Sequence, residues 1–128
     1  MRIASTLENQ NIEKRIAITP EIAKKYIALG FEITLVEKYG EHLGFKDSHY
    51  KELGVEISNN KSEALNRADI IIQLGLLSDE NLSNLKENQT LIGVFNPYNN
   101  KEKIENLSKK NINFFSLEML PRITRAQS

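Results

Sequence analysis

Residues 68–74, Ala-Asp-Ile-Ile-Ile-Gln-Leu, constrain the fold more than any other stretch. Side chains alternate across an extended chain, so Ile70, Ile71, Ile72 and Leu74 place apolar groups on both of its faces. A strand of this kind is stable only when both faces are covered. That is the condition inside a parallel sheet with helices packed above and below it. The rest of the chain must therefore supply helices between strands.

It does so in regular alternation. Residues 1–6 read as an opening strand and 7–14 as a polar loop, followed by Arg15 and Ile16-Ala17-Ile18. Thr19-Pro20-Glu21 is a helix start: a capping hydroxyl, a proline suited to the first turn, and an acid that complements the dipole. Ile22, Ala23, Tyr26, Ile27 and Leu29 form its apolar stripe, and Gly30 closes it. Strands are expected at 31–36, 55–57, 68–74, 90–95 and 112–117. Helices are expected at 48–53 with Gly54 ending it, at 58–67 with Ala64 and Leu65 inward, at 78–86 with Leu82 and Leu85 inward, and at 100–110 with Ile104 and Leu107 inward. Residues 37–45 are expected to be a loop. The pattern predicts one α/β domain over residues 1–128, with a mostly parallel, flavodoxin-like sheet flanked by helices and joined by right-handed crossovers.

Composition narrows the function classes. Lys plus Arg and Asp plus Glu balance at 17 each. No basic face for nucleic acid is evident, and no nucleic-acid partner is expected. There is no cysteine, hence no disulfide or thiolate metal site. His42 and His49 lie in a polar stretch and read as surface residues, so no metal is expected. No apolar run approaches the roughly 20 residues of a membrane span, and the N-terminal apolar run is too short for a signal sequence; a soluble, cytoplasmic chain is expected. The six glycines form no Gly-x-Gly-x-x-Gly cluster, and no Walker motif or nucleophile elbow is present.

Two places could carry chemistry. Arg15 sits between the first strand and the first helix start, where a guanidinium fork suits either a carboxylate or phosphate ligand or a structural ion pair. The second place is the segment Met119-Leu120-Pro121-Arg122-Ile123-Thr124-Arg125-Ala126-Gln127-Ser128, just past the last strand. Ligands of open α/β sheets bind outside the carboxyl ends of strands. A basic, amide-bearing segment there is either a ligand loop or a solvated terminus.

Pro121-Arg122-Ile123-Thr124-Arg125-Ala126-Gln127-Ser128 resembles the Pro-Arg-Ile-Ser-Arg-Ala-Gln-Ser segment of the alpha subunits of proton-translocating NAD(P) transhydrogenases. Glu13-Lys14-Arg15-Ile16-Ala17-Ile18-Thr19-Pro20 is similar to the Arg-Val-Ala-x-Thr-Pro signature that those subunits share with alanine dehydrogenases. The two motifs bracket the chain in the order that family has. The resemblance implies hydride transfer between NADH and NADP, coupled to proton translocation in a full complex. It implies that Arg122 and Gln127 contact NAD(H), with Gln127 in the catalytic position, and that a partner subunit holds NADP(H). It further implies membrane-embedded partner subunits, a homodimer in the full-length form, and a peripheral place on the cytoplasmic side of the inner membrane. A Rossmann NAD-binding half is expected to follow residue 128, which leaves these 128 residues inactive on their own.

Two alternatives remain at this point. An alanine dehydrogenase would use Arg15 to hold the substrate carboxylate, with a lysine and a histidine at positions that correspond here to Gln73 and Asn96. Neutral amides supply neither the charge nor the proton, which speaks against that activity. A non-catalytic stand-alone domain is the other alternative.

Overall fold

The β-rich runs assemble into a sheet of parallel strands, seen in a computed structural model that describes residues 1–7, 15–74, 82–83, 85–93 and 101–116. Six strands are present among the described residues: β1 (Arg2–Ser5), β2 (Glu32–Val36), β3 (Glu56–Ser58), β4 (Ile70–Gln73), β5 (Thr90–Gly93) and β6 (Asn113–Ser116). Their order is β3-β2-β1-β4-β5-β6, and every neighbouring pair is parallel. Four helices connect them: α1 (Pro20–Ala28), α2 (Asp47–Glu52), α3 (Lys61–Arg67) and α4 (Lys101–Lys109). The expected α/β class with a parallel, helix-flanked sheet is the observed one. Setting aside the three-residue edge strand β3, the other five strands run in the flavodoxin-like order; with β3 included, the order is that of a Rossmann sheet.

Local chemistry places these elements. Thr19 caps α1, its hydroxyl accepting from the Ile22 amide at 3.3 Å, with Pro20 in the first turn. The third helix starts later than expected, at Lys61, because the Asn60 side chain captures the Glu63 amide at 3.0 Å. That shift leaves Ser58 to β3. Glu41–Leu43 forms a single 3-10 turn inside the expected loop. Leu29, expected inward, is 74% exposed: the helix ends at Ala28, and Leu29 turns out toward solvent at its cap. The expected helix at 78–86 lies mostly outside the described residues, but Leu82 and Leu85 are buried as expected.

The isoleucine run divides between two cores. Ile71 joins Ala4, Leu65, Leu82, Leu85, Leu91 and Leu107 on the face covered by α3 and α4. Ile70 and Ile72 pack on the other face, with Ile3, Ile18, Ile33, Leu35, Tyr39 and Tyr50 against α1 and α2. At the N-terminal ends of the strands, buried Gln89 donates to the carbonyls of Leu65 (2.6 Å) and Ala68 (2.7 Å), tying the end of α3 to the start of β5. The site is therefore sought at the opposite end, where the strands' carboxyl ends converge.

Leu91 has no solvent exposure on the central strand β5, whereas Leu29 packs on nothing comparable. Leu91→Ala is expected to cost about 3 kcal/mol, and Leu29→Ala less than about 0.5 kcal/mol. Urea unfolding of the two variants beside the parent checks the contrast.

Candidate functional site at the strand switch point

Between β1 and β4 the chain reverses its direction of travel across the sheet, and neighbouring strands of this kind leave a crevice at their carboxyl ends. The seam pairs Ile3 with Ile70 and Ala4 with Ile71. Beyond those positions, side chains take over the bonding. The Gln73 carbonyl oxygen (Oε1) accepts from the Thr6 amide at 2.6 Å, and its Nε2 donates to the Thr6 carbonyl at 3.1 Å. One side-chain amide thus does for Thr6 what a neighbouring strand's peptide group would do. Gln73 is 1% exposed, so these bonds are made in a dry setting where an unmet polar group would cost about 1–3 kcal/mol.

Ser5 and Tyr39 fill the rest of the crevice. Tyr39 accepts from the amides of Ala17 and Ile18, both at 3.1 Å, and its oxygen lies 2.8 Å from Ser5 Oγ. With two N–H groups aimed at the phenol oxygen, Tyr39 gives its own hydrogen to Ser5. Ser5 then donates onward, to the Ile72 carbonyl at 2.6 Å in preference to Gln73 Oε1 at 3.0 Å. Lys38 explains how Tyr39 reaches back over β1. It adopts φ of 61°, and the Asp47 carboxylate holds its amide at 3.0 Å. Gly40 is required next to it, since a Cβ there would lie 3.0 Å from Phe45 Cβ and 3.1 Å from the Tyr50 hydroxyl. Tyr50 completes the arrangement by donating to the Ile18 carbonyl at 2.8 Å.

Arg15, one of the residues singled out from the sequence, is exposed at this edge, two positions before the amide held by Tyr39. Gln73 is at the edge as well, but as a buried structural amide and not a ligand contact. Arg122, Arg125, Gln127 and Asn96 lie outside the described residues. His42 and His49 are exposed. Among the described residues, no group of three or more His, Cys, Asp or Glu could hold a metal, and no helix is long and apolar enough to cross a membrane. Ser5, Thr6 and Tyr39 escaped the sequence reading. Their polar groups find partners far along the chain, and no local spacing announces that.

The crevice, so filled, does not fit a dinucleotide. There is no glycine-rich turn after β1, and the space a pyrophosphate would enter is taken by Tyr39, Ser5 and Gln73. What the edge offers a ligand is its rim, where Arg15 stands and where α1 begins at Pro20.

Comparison with known proteins gives a consistent picture. The family model for the alanine dehydrogenase/PNT N-terminal domain matches residues 6–128. The first portion of the NAD(P) transhydrogenase alpha subunit of Rickettsia prowazekii, a separate polypeptide there, is 36% identical over 132 residues, covering 100% of this chain and 34% of that protein. An alanine dehydrogenase of Halomonas elongata is more distant, 28% identical over 71% of the chain and 24% of its own length. The crystal structure of transhydrogenase from Sinorhizobium meliloti superposes with a TM-score of 0.89 at 28% identity, covering 99% of this chain and 38% of that one. The chain thus spans about a third of the length of the relatives it matches.

Burial pushes the Tyr50 phenol well above its ordinary value, and the charges of Tyr39 and Asp47 add to the shift. A phenol that holds its proton more tightly when folded contributes stability below the unfolded value of about 10, and that contribution is lost as pH rises above it. Stability is therefore expected to fall with pH above about 10 in the parent, and to fall less steeply in Tyr50→Phe. At neutral pH, Tyr50→Phe is expected to cost about 1–2 kcal/mol by leaving the Ile18 carbonyl without its donor. Urea midpoints measured from neutral to alkaline pH read both effects.

Proposed function

The chain belongs to the alanine dehydrogenase/PNT N-terminal domain family, and from that premise we propose that it is the N-terminal part of an NAD(P) transhydrogenase alpha subunit, supplying one wall of an NAD(H) cleft. The observation that carries this reading is the closed crevice. A sheet in the dinucleotide-binding order whose switch point is filled by its own side chains serves as a wall, with the cofactor's phosphates held by another domain. That domain is a Rossmann half with a glycine turn, expected after residue 128. The similarity, along the whole of this chain, to the opening portion of a transhydrogenase alpha subunit supports the same division of labour.

When bound, the nicotinamide supplies the hydride chemistry. No proton needs to move in transfer between two nicotinamides, so the protein's part is to orient the rings and exclude water. Neutral amide and guanidinium donors suit that part because they hold a carboxamide or an anionic oxygen without reacting. Gln127 is the residue assigned to the transfer position, and Arg122 and Gln127 to the NAD(H) contact. Arg15 reaches the same cleft from the β1–α1 side and meets an anionic group of the nucleotide. NADP(H) belongs to a partner subunit, proton translocation to membrane-embedded partners, and a homodimer to the full-length form. The chain itself then sits on the cytoplasmic side of the inner membrane through those partners.

The alanine dehydrogenase reading is weaker. At the position where that enzyme needs a charged lysine, the chain has Gln73, and both ends of its amide are spent on Thr6. A neutral group so held leaves a keto acid's carboxylate without that partner.

In calorimetry, the isolated 128 residues are expected to bind NADH no tighter than about 0.1 mM, because one wall without the phosphate site retains little of the contact. Affinity near 1 μM would overturn the one-wall reading. In the assembled enzyme, Gln127→Ala is expected to slow hydride transfer by about 10–100-fold with a smaller change in NADH affinity, in keeping with a positioning loss. Stopped-flow transfer rates check it.

A further inference from the structure

The connection from β1 to α1 carries Arg15, and both of its ends are fastened by one polar network. At the near end, Gln73 grips Thr6 by both its amide and its carbonyl. At the far end, Tyr39 holds the amides of Ala17 and Ile18, while Tyr50 holds the Ile18 carbonyl. Ser5 joins the two ends, lying 2.8 Å from Tyr39 and 3.0 Å from Gln73. The Ala17 and Ile18 amides belong to no strand, so the phenol is what fixes the main chain there. Tyr39 has no solvent exposure, and its edge-to-face contact with Tyr50, with ring centroids 6.2 Å apart, holds the ring in place. Two residues span at most about 7 Å of chain, so fixing Ala17 confines Arg15 to a small region of the rim.

We propose that Tyr39, wired through Ser5 to Gln73, is a positioning residue that holds Arg15 at the cleft for an anionic group of the ligand. The proposal rests on the reading of this chain as one wall of a nucleotide cleft. The preorganisation is physical: an arginine on a loose connection spends ligand-binding energy on ordering that connection, whereas one held from both sides does not. Removing the Tyr39 hydroxyl keeps the ring and its packing and takes away only the grip on Ala17 and Ile18.

A double-mutant cycle separates positioning from plain stability. NADH affinity is measured by calorimetry in the polypeptide that unites this chain with its nucleotide-binding half, for the parent, Tyr39→Phe, Arg15→Gln and the double variant. Arg15→Gln is expected to weaken binding about tenfold, and Tyr39→Phe about threefold to fivefold. The double variant is expected to be no weaker than Arg15→Gln alone, because Tyr39 acts through Arg15. Amide exchange at Ala17 and Ile18 in the 128-residue chain is expected to speed up in Tyr39→Phe beyond any global loss of stability. Losses that simply add in the cycle, or unchanged exchange at those two amides, overturn the positioning role while leaving the one-wall reading intact. An Arg15→Gln variant that binds NADH as well as the parent removes Arg15 from the cleft, and the positioning role with it. Should Tyr39→Phe fail to fold, Ser5→Ala cuts the link between Tyr39 and Gln73 and is expected to show the same non-additivity with Arg15→Gln.

Discussion

The seam between β1 and β4 is the constraint on which the rest of the molecule depends. It is where the sheet changes direction, and in a doubly wound sheet that is where the backbone leaves an opening. Here the opening is closed with side chains of the right length and polarity. Gln73 imitates a peptide group for Thr6, and Ser5 and Tyr39 relay hydrogen bonds across the top. Each group in the relay meets a partner, which is the condition under which a buried polar network supports a fold. The apolar layers on either side, around Ile71 and around Ile33 and Leu35, keep that network dry.

Function follows from the closure. The same strand order that elsewhere presents a phosphate cradle here presents a solid rim, with Arg15 on it and the first turn of α1 beside it. A wall of this sort can orient a ligand that another domain binds. It suits hydride transfer, in which geometry and dryness matter more than acid–base groups. It does not suit a reaction that needs a charged residue at the end of β4, where the chain has a committed neutral amide.

Most of the fold was legible because its signals are local. Thr19-Pro20-Glu21 announces α1, and the isoleucine run at 70–72 announces a strand buried on both faces. Gly54, at φ of 100°, closes α2 as its position after the helical stretch suggested. Errors arose where a distant or capping partner decided the outcome. Asn60 took the cap and delayed α3, and Leu29 fell past the end of its helix. The site was less legible. Gln73 drew notice as the counterpart of a ligand residue, but its true partner, Thr6, lies 67 positions away and becomes visible only once β1 and β4 are neighbours. Tyr39 sits in a turn with no periodic pattern, and its role depends on the left-handed Lys38 before it. Arg122 and Gln127 rest on the similarity of the segment that carries them to the transhydrogenase motif, and they fall outside the described residues.

The most direct measurement is a crystal structure of the NADH complex of the polypeptide that carries this chain and its nucleotide-binding half, read for the position of the pyrophosphate. The account predicts a pyrophosphate on the glycine turn of the other half, with the nicotinamide end facing the rim of this sheet and the hydrogen bonds among Ser5, Tyr39 and Gln73 unbroken. A pyrophosphate lodged between β1 and β4, with Tyr39 or Gln73 displaced from Ser5 and Thr6, would contradict it.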